Sequence, residues 1–127
     1  MIQPGDDQID MFDALSMDSD SMQVLGIIKD RHGRKRAIPV ADISELTGIH
    51  PRAVRDIVKR LIKHHRVRIG SSLGSPAGYY MIETMEEAEQ IERTLRKLGI
   101  SILVRAAAIK GLTVREYMKK LQTELAI

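Results

Sequence analysis

The stretch HPRAVRDIVKRLIKHHRVR, residues 50–68, writes two patterns onto one helix. Val54, Ile57, Val58, Leu61 and Ile62 recur at i, i+3, i+4, i+7 and i+8, the spacing of a single buried stripe. At about 100° per residue, the opposite face collects Arg52, Asp56, Lys59 and Lys63, with Arg55 and Arg60 at its flanks. One face is made for a hydrophobic core. The other carries more cations than a solvated helix needs, which is what a helix lying against a polyanion requires.

Upstream, Pro51 suits the first helical position because its missing N–H would be unpaired there anyway. His50 before it is a mediocre cap beside Ser or Asp. Gly48 closes the short amphipathic segment VADISELTG, in which Val40, Ile43 and Leu46 share a face. Before that come the basic run Arg34, Lys35, Arg36 and a short extended piece, AIP, because Pro39 disfavours helix in the residue preceding it. A further helix is expected in DSDSMQVLGIIKDRHG. Asp20 or Ser21 would cap it, Met22, Val24, Leu25 and Ile28 would face inward, and Lys29 and Arg31 would sit near its negative end. Gly33 would be its left-handed stop.

Downstream, RVRIGSS alternates with period two, with Val67 and Ile69 on one face and Arg66 and Arg68 on the other. LGSPAG is a turn by its chemistry, and YYMI reads as the returning strand. One of Tyr79 and Tyr80 is expected in the core and the other on the sheet surface, in preference to stacking on bases. TMEE is a capping box with Thr84 as cap and Glu87 reaching back, and TVRE at 113–116 is a second. Between them Ile91, Leu95, Leu98, Ile102, Ile109 and Leu112 step by four, three, four, seven and three. That is a near-heptad seam whose missing step falls on Arg105. Gly99 is a possible break in it, and Gly111 its end. The last helix carries Val114, Tyr117, Met118, Leu121 and Leu125.

The expected fold class is therefore mainly α with a small β-hairpin wing: a winged helix-turn-helix plus a C-terminal helical extension. Residues 1–18 form an acidic arm, 19–83 the winged domain and 84–127 the helices for packing or oligomerisation. The narrower match lies in SSLGSPAGYYMIETMEEAEQIERTLRKLGISIL. It resembles a group of small helix-turn-helix proteins encoded by bacteriophages and integrated elements. In that group a GYY strand leads into a Glu-rich helix ending in a SIL-like segment. The resemblance covers roughly residues 38–108 and implies a DNA partner and a bacterial host, not a defined task.

Charge points the same way. The chain's net charge is only +3, but it is segregated. Residues 1–28 hold six Asp and no cation, for −6. Residues 29–82 hold twelve Lys or Arg against four acids, for +8, and residues 83–127 hold eight against seven, for +1. A basic middle is the footprint of a nucleic-acid-binding core. The acidic arm would compete with DNA for that surface.

The base-reading candidates are Arg52, Arg55, Asp56 and Lys59. Arg can pair bidentately with guanine, and Asp can accept from the cytosine amino group or simply pair with Arg52 or Arg60. The backbone candidates are Arg34, Lys35, Arg36, Lys63, Arg66, Arg68, Ser71 and Ser72, with Ser75 a further hairpin hydroxyl; phosphate contacts fix position without reading sequence. The seam residues Ile91, Leu95, Leu98, Ile102, Ile109 and Leu112 are the candidate interface of a homodimer, which would set two reading helices on successive grooves. The alternative is that the seam folds back on its own winged domain.

Double-stranded DNA is thus the expected partner, with a role in regulating transcription or replication. The rivals are a winged-helix scaffold binding a replication or transcription protein, and the DNA-recognition subunit of a packaging motor, which would need a ring. No enzyme is expected: GxxxxGK[ST], HExxH and GxSxG are all missing. No cofactor or metal is expected either. The chain has no Cys, His64 and His65 point apart on a helix, and the spacing of Asp6, Asp7, Asp10 and Asp13 fits no ligand loop. The first residues lack a signal peptide's basic and apolar regions, and no apolar run approaches 18 residues, so a cytoplasmic protein away from membranes is expected.

Overall fold

The computed structural model describes residues 17–125. The fold is mainly helical with one two-stranded antiparallel hairpin, the layout of a winged helix-turn-helix. The elements run α1 (Ser19–Ile28), a 3₁₀ turn (Arg34–Arg36), α2 (Val40–Thr47), α3 (Pro51–His65), β1 (Ile69–Ser72), β2 (Gly78–Met81), α4 (Met85–Ile109) and α5 (Val114–Leu125). The chain forms two compact units, one up to Glu89 and the other from Gln90 onward. Sequence reasoning set the boundary at 83/84. The observed one falls inside α4, because the first turn of that helix is tied into the winged unit.

The winged unit has a continuous core of Val24, Ile28, Ile38, Ile43, Val54, Ile57, Val58, Leu61, Val67, Ile69 and Met81. Met17 joins it, and Asp18 caps α1 by accepting from the Ser21 N–H at 2.7 Å. These two residues, assigned from sequence to the arm, belong to the folded unit; the rest of the arm lies outside the described residues. The cap is thus Asp18, not Asp20 or Ser21: Asp20 stands in the first turn and Ser21 is buried. Gly33 is also displaced from its expected role. The helix ends at Ile28, and Gly33, with φ 86°, opens the 3₁₀ turn instead.

Three apolar residues leave their predicted faces. Met22 is exposed on α1, Leu46 is 68% exposed on α2, and Ile62 is exposed on α3. Each lies at the margin of its stripe, where a small tri-helical core no longer reaches. The turn between α2 and α3 is closed by local bonds. Gly48 adopts φ 76° with its N–H on the Ser44 carbonyl at 2.8 Å, and the Thr47 hydroxyl donates to the Ile43 carbonyl at 2.8 Å. His50 caps α3 after all, its Nδ1 accepting from the Arg52 N–H at 3.1 Å.

In the second unit α4 runs through Gly99 without a break, so the interior glycine's cost of about 1 kcal/mol does not interrupt it. It stops at a left-handed Gly111, φ 72°. Leu112 N–H returns to the Ala107 carbonyl (2.9 Å) and Gly111 N–H to that of Ala108 (3.0 Å), the paired bonds of a Schellman turn. Leu112 is therefore part of the turn and not of the helical seam. Both capping boxes form as read: Thr84 with Glu87, and Thr113 with Glu116. Among the described residues no helix is long and apolar enough to cross a membrane.

Candidate nucleic-acid interface

The site begins with how α3 divides its residues. Val54, Ile57, Val58 and Leu61 are buried, at most 2% exposed. Arg52, Arg55, Asp56, Lys59, Arg60 and Lys63 are all exposed. The helix thus spends one face on the core and leaves the other to solvent.

Its flanks have different neighbours. Arg60 reaches the cap of α1, 3.8 Å from the Asp18 carboxylate, with both side chains about half exposed. Hydrogen bonds from Ser21 and the nearby Arg60 hold the Asp18 carboxyl below its ordinary range. On the other flank Arg55 acts electrostatically on Tyr79 of β2: burial pushes the Tyr79 phenol up, and the Arg55 charge partly offsets it. Asp56 forms no ion pair with Arg52 or Arg60 among the described residues. The outward face is therefore Arg52, Asp56, Lys59 and Lys63, bordered by the wing on one side and α1 on the other.

The basic turn Arg34–Arg36 is anchored rather than trailing. Gly33 N–H donates to the Met81 carbonyl at 2.9 Å, and Arg34 N–H to the Glu87 carboxylate at 2.9 Å. Just after the turn, Ile38 and Tyr79 exchange backbone hydrogen bonds of 2.8 and 2.9 Å, which adds a one-residue edge to the hairpin. All three basic side chains remain exposed.

The hairpin pairs Ile69 with Met81, Gly70 with Tyr80, Ser71 with Tyr79 and Ser72 with Gly78. Side chains alternate across a strand, so Tyr79 leans on the helical core while Tyr80 lies on the opposite face. There Tyr80 is 2% exposed and covers Gly70, where a Cβ would come within 2.6 Å of the ring. The expected division of the tyrosines holds by face, but the outer one is the more buried, because Gly70 leaves a bed for its ring.

The remaining backbone candidates fall in different settings. Arg66 is not on a strand. It ends α3 in the left-handed region, φ 55°, the only non-glycine with positive φ among the described residues. Its side chain is exposed, and Arg68 is half-buried. Ser71 is exposed, but Ser72 is 8% exposed and its Oγ accepts from Gly74 N–H at 3.2 Å, so it serves the turn. Ser75 is exposed in the turn beyond it. Leu73 at the hairpin tip is fully exposed. Sequence reasoning passed over it as turn chemistry; the available signal was a large apolar residue inside a Gly/Pro loop. No group able to hold a metal ion occurs among the described residues.

No protein-family model matches this chain, and neither any curated protein nor any solved structure matches it.

Proposed function

We propose that this protein binds double-stranded DNA, with α3 in the major groove and the basic turn and wing on the phosphates. The observation that carries this reading is the division of α3. Its exposed face offers Arg52, Arg55, Lys59 and Lys63 with Asp56 as the one acid, while Val54, Ile57, Val58 and Leu61 of its other face are held in the core. A helix about 10–12 Å across fits the B-DNA major groove. Arg52, Arg55 and Asp56, in the opening turns, are the base-reading residues, and Lys59 follows one turn later.

Arg66 adds support of a different kind. A left-handed non-glycine costs about 1 kcal/mol that Gly would not, so its presence at an exposed helix end is better explained by its charge than by its backbone. Arg66, Lys63 and the Arg34–Arg36 turn are assigned to phosphates. The setting, a phage-type regulator of transcription or replication, rests on the resemblance over residues 38–108.

The test is fluorescence anisotropy on random duplex DNA across a salt series. Wild type should bind with a log–log salt slope of about −0.9 per phosphate neutralised. Arg55→Ala/Lys59→Ala should bind clearly more weakly. Absence of binding by wild type at low salt would overturn the reading and send the basic face to protein partners.

A further inference from the structure

The unit from Gln90 onward has almost no interior. Ala107 is its one buried residue among those described. On α4, Leu95, Leu98, Ile102 and Ile109 are 60, 57, 48 and 85% exposed, all on the stripe that Ile91 begins. A contiguous apolar stripe in water marks an interaction surface. A unit of fewer than about 40 residues ordinarily needs disulfides, a metal or association to be stable. This chain has no Cys, and its described residues form no metal-binding group. Association remains.

The charges of α4 say with what. Its opening turns carry Glu86, Glu87, Glu89 and Glu92 and no cation. From Arg93 to Lys110 there are five cations, Arg93, Arg96, Lys97, Arg105 and Lys110, and no acid. The positions bordering the stripe along most of its length are Thr94, Gly99, Ser101, Ala106 and Ala108, small and uncharged. Such borders let a second helix approach closely, and they do not repel an identical one.

We propose that a second copy of this chain covers the stripe, with the two α4 helices antiparallel and crossing near Leu98. That orientation sets Arg105 and Lys110 of each helix beside the other's acidic opening turns and opposes the helix dipoles, whereas a parallel pair would set each of these charges beside its own copy. It also accounts for Arg105, the break in the heptad. Seven residues past Leu98, it falls opposite the acidic opening turns of the other helix. The inference does not depend on DNA binding.

The absence of cysteine makes orientation measurable in the full-length chain. Sedimentation across a concentration series should give a dimer, and Leu98→Glu should weaken association at least about tenfold with helix content retained. Under oxidation, Leu98→Cys should cross-link between chains. Ile109→Cys should not, because antiparallel helices hold those two positions about 30 Å apart. Cross-linking by both variants would overturn the antiparallel orientation. A monomer at every concentration, as expected if the stripe folded onto its own winged unit, or a dimer indifferent to Leu98→Glu, would overturn the proposal.

Discussion

The backbone N–H of Arg34 donates to the Glu87 carboxylate at 2.9 Å, across 53 positions of sequence. The carboxylate's other oxygen accepts from the N–H groups of Glu83 (2.8 Å) and Thr84 (3.4 Å). One side chain therefore closes the start of α4 and holds the basic turn. Burial pushes its pKa up, but the three backbone donors and the Arg34 charge outweigh this and leave it below 4.5. A carboxyl lowered by folding contributes stability that is complete above 4.5 and is lost as pH falls through the lower folded value. Glu87→Gln should be less stable than wild type by about 0.5 kcal/mol near neutral pH, after solvent screening. The gap should close below pH 4.5, as urea titrations over a pH series would register.

Arg66 should separate folding from binding. Arg66→Gly relieves the left-handed conformation and should raise stability by about 1 kcal/mol. On the proposed function it should also weaken DNA binding and flatten the log–log salt slope by about one contact. Thermal melts and the anisotropy series read the two effects independently; a stability gain with an unchanged slope would remove Arg66 from the interface.

Gly78 is held by more than conformation. Its φ is 121°, and a Cβ there would run into the Ile38 carbonyl, part of the backbone exchange that fixes the basic turn to the wing. Gly48, with φ 76°, has open space around it. Gly78→Ala should therefore cost more than about 2 kcal/mol, and Gly48→Ala about 1. Denaturant unfolding of both variants checks the order.

Asp56 distinguishes reading from mere attraction. If it accepts from a cytosine amino group, Asp56→Ala should lower affinity for the preferred site and flatten preference at one base pair, a change of about 1–3 kcal/mol. If it only dilutes the positive face, the same variant should tighten binding to all duplexes. A selection from random duplexes with each protein separates these outcomes.

Much of this fold is legible in the sequence because local chemistry and the core agree. The stripe of α3 apart from Ile62, the Gly48 turn and both capping boxes are set by residues within a few positions of one another, and form as read. What was not legible depends on distance. Whether Ile62 is covered depends on where neighbouring helices end, and its periodicity is as good as that of Leu61. The cap at Asp18 was missed because Asp20 and Ser21 carry the same chemistry two and three residues along. The burial of Tyr80 on the outer face was missed because its bed is a glycine on another strand. Of the candidate site, the cationic face of α3 was legible from spacing alone. The anchoring of Arg34 by Glu87, the buried role of Ser72 and the exposed tip at Leu73 were not, since each is decided by tertiary contacts or by where a turn projects.

The split of α3 also bears on how such a protein can change over generations. Arg52, Asp56, Lys59 and Lys63 take no part in the core, so replacing them should shift stability by no more than about 0.5 kcal/mol. On the proposed function, lineages can therefore drift to new target sequences one residue at a time without passing through misfolded intermediates. Gly78 has no such latitude, and across descendants the scaffold should stay recognisable long after the exposed face of α3 has been rewritten.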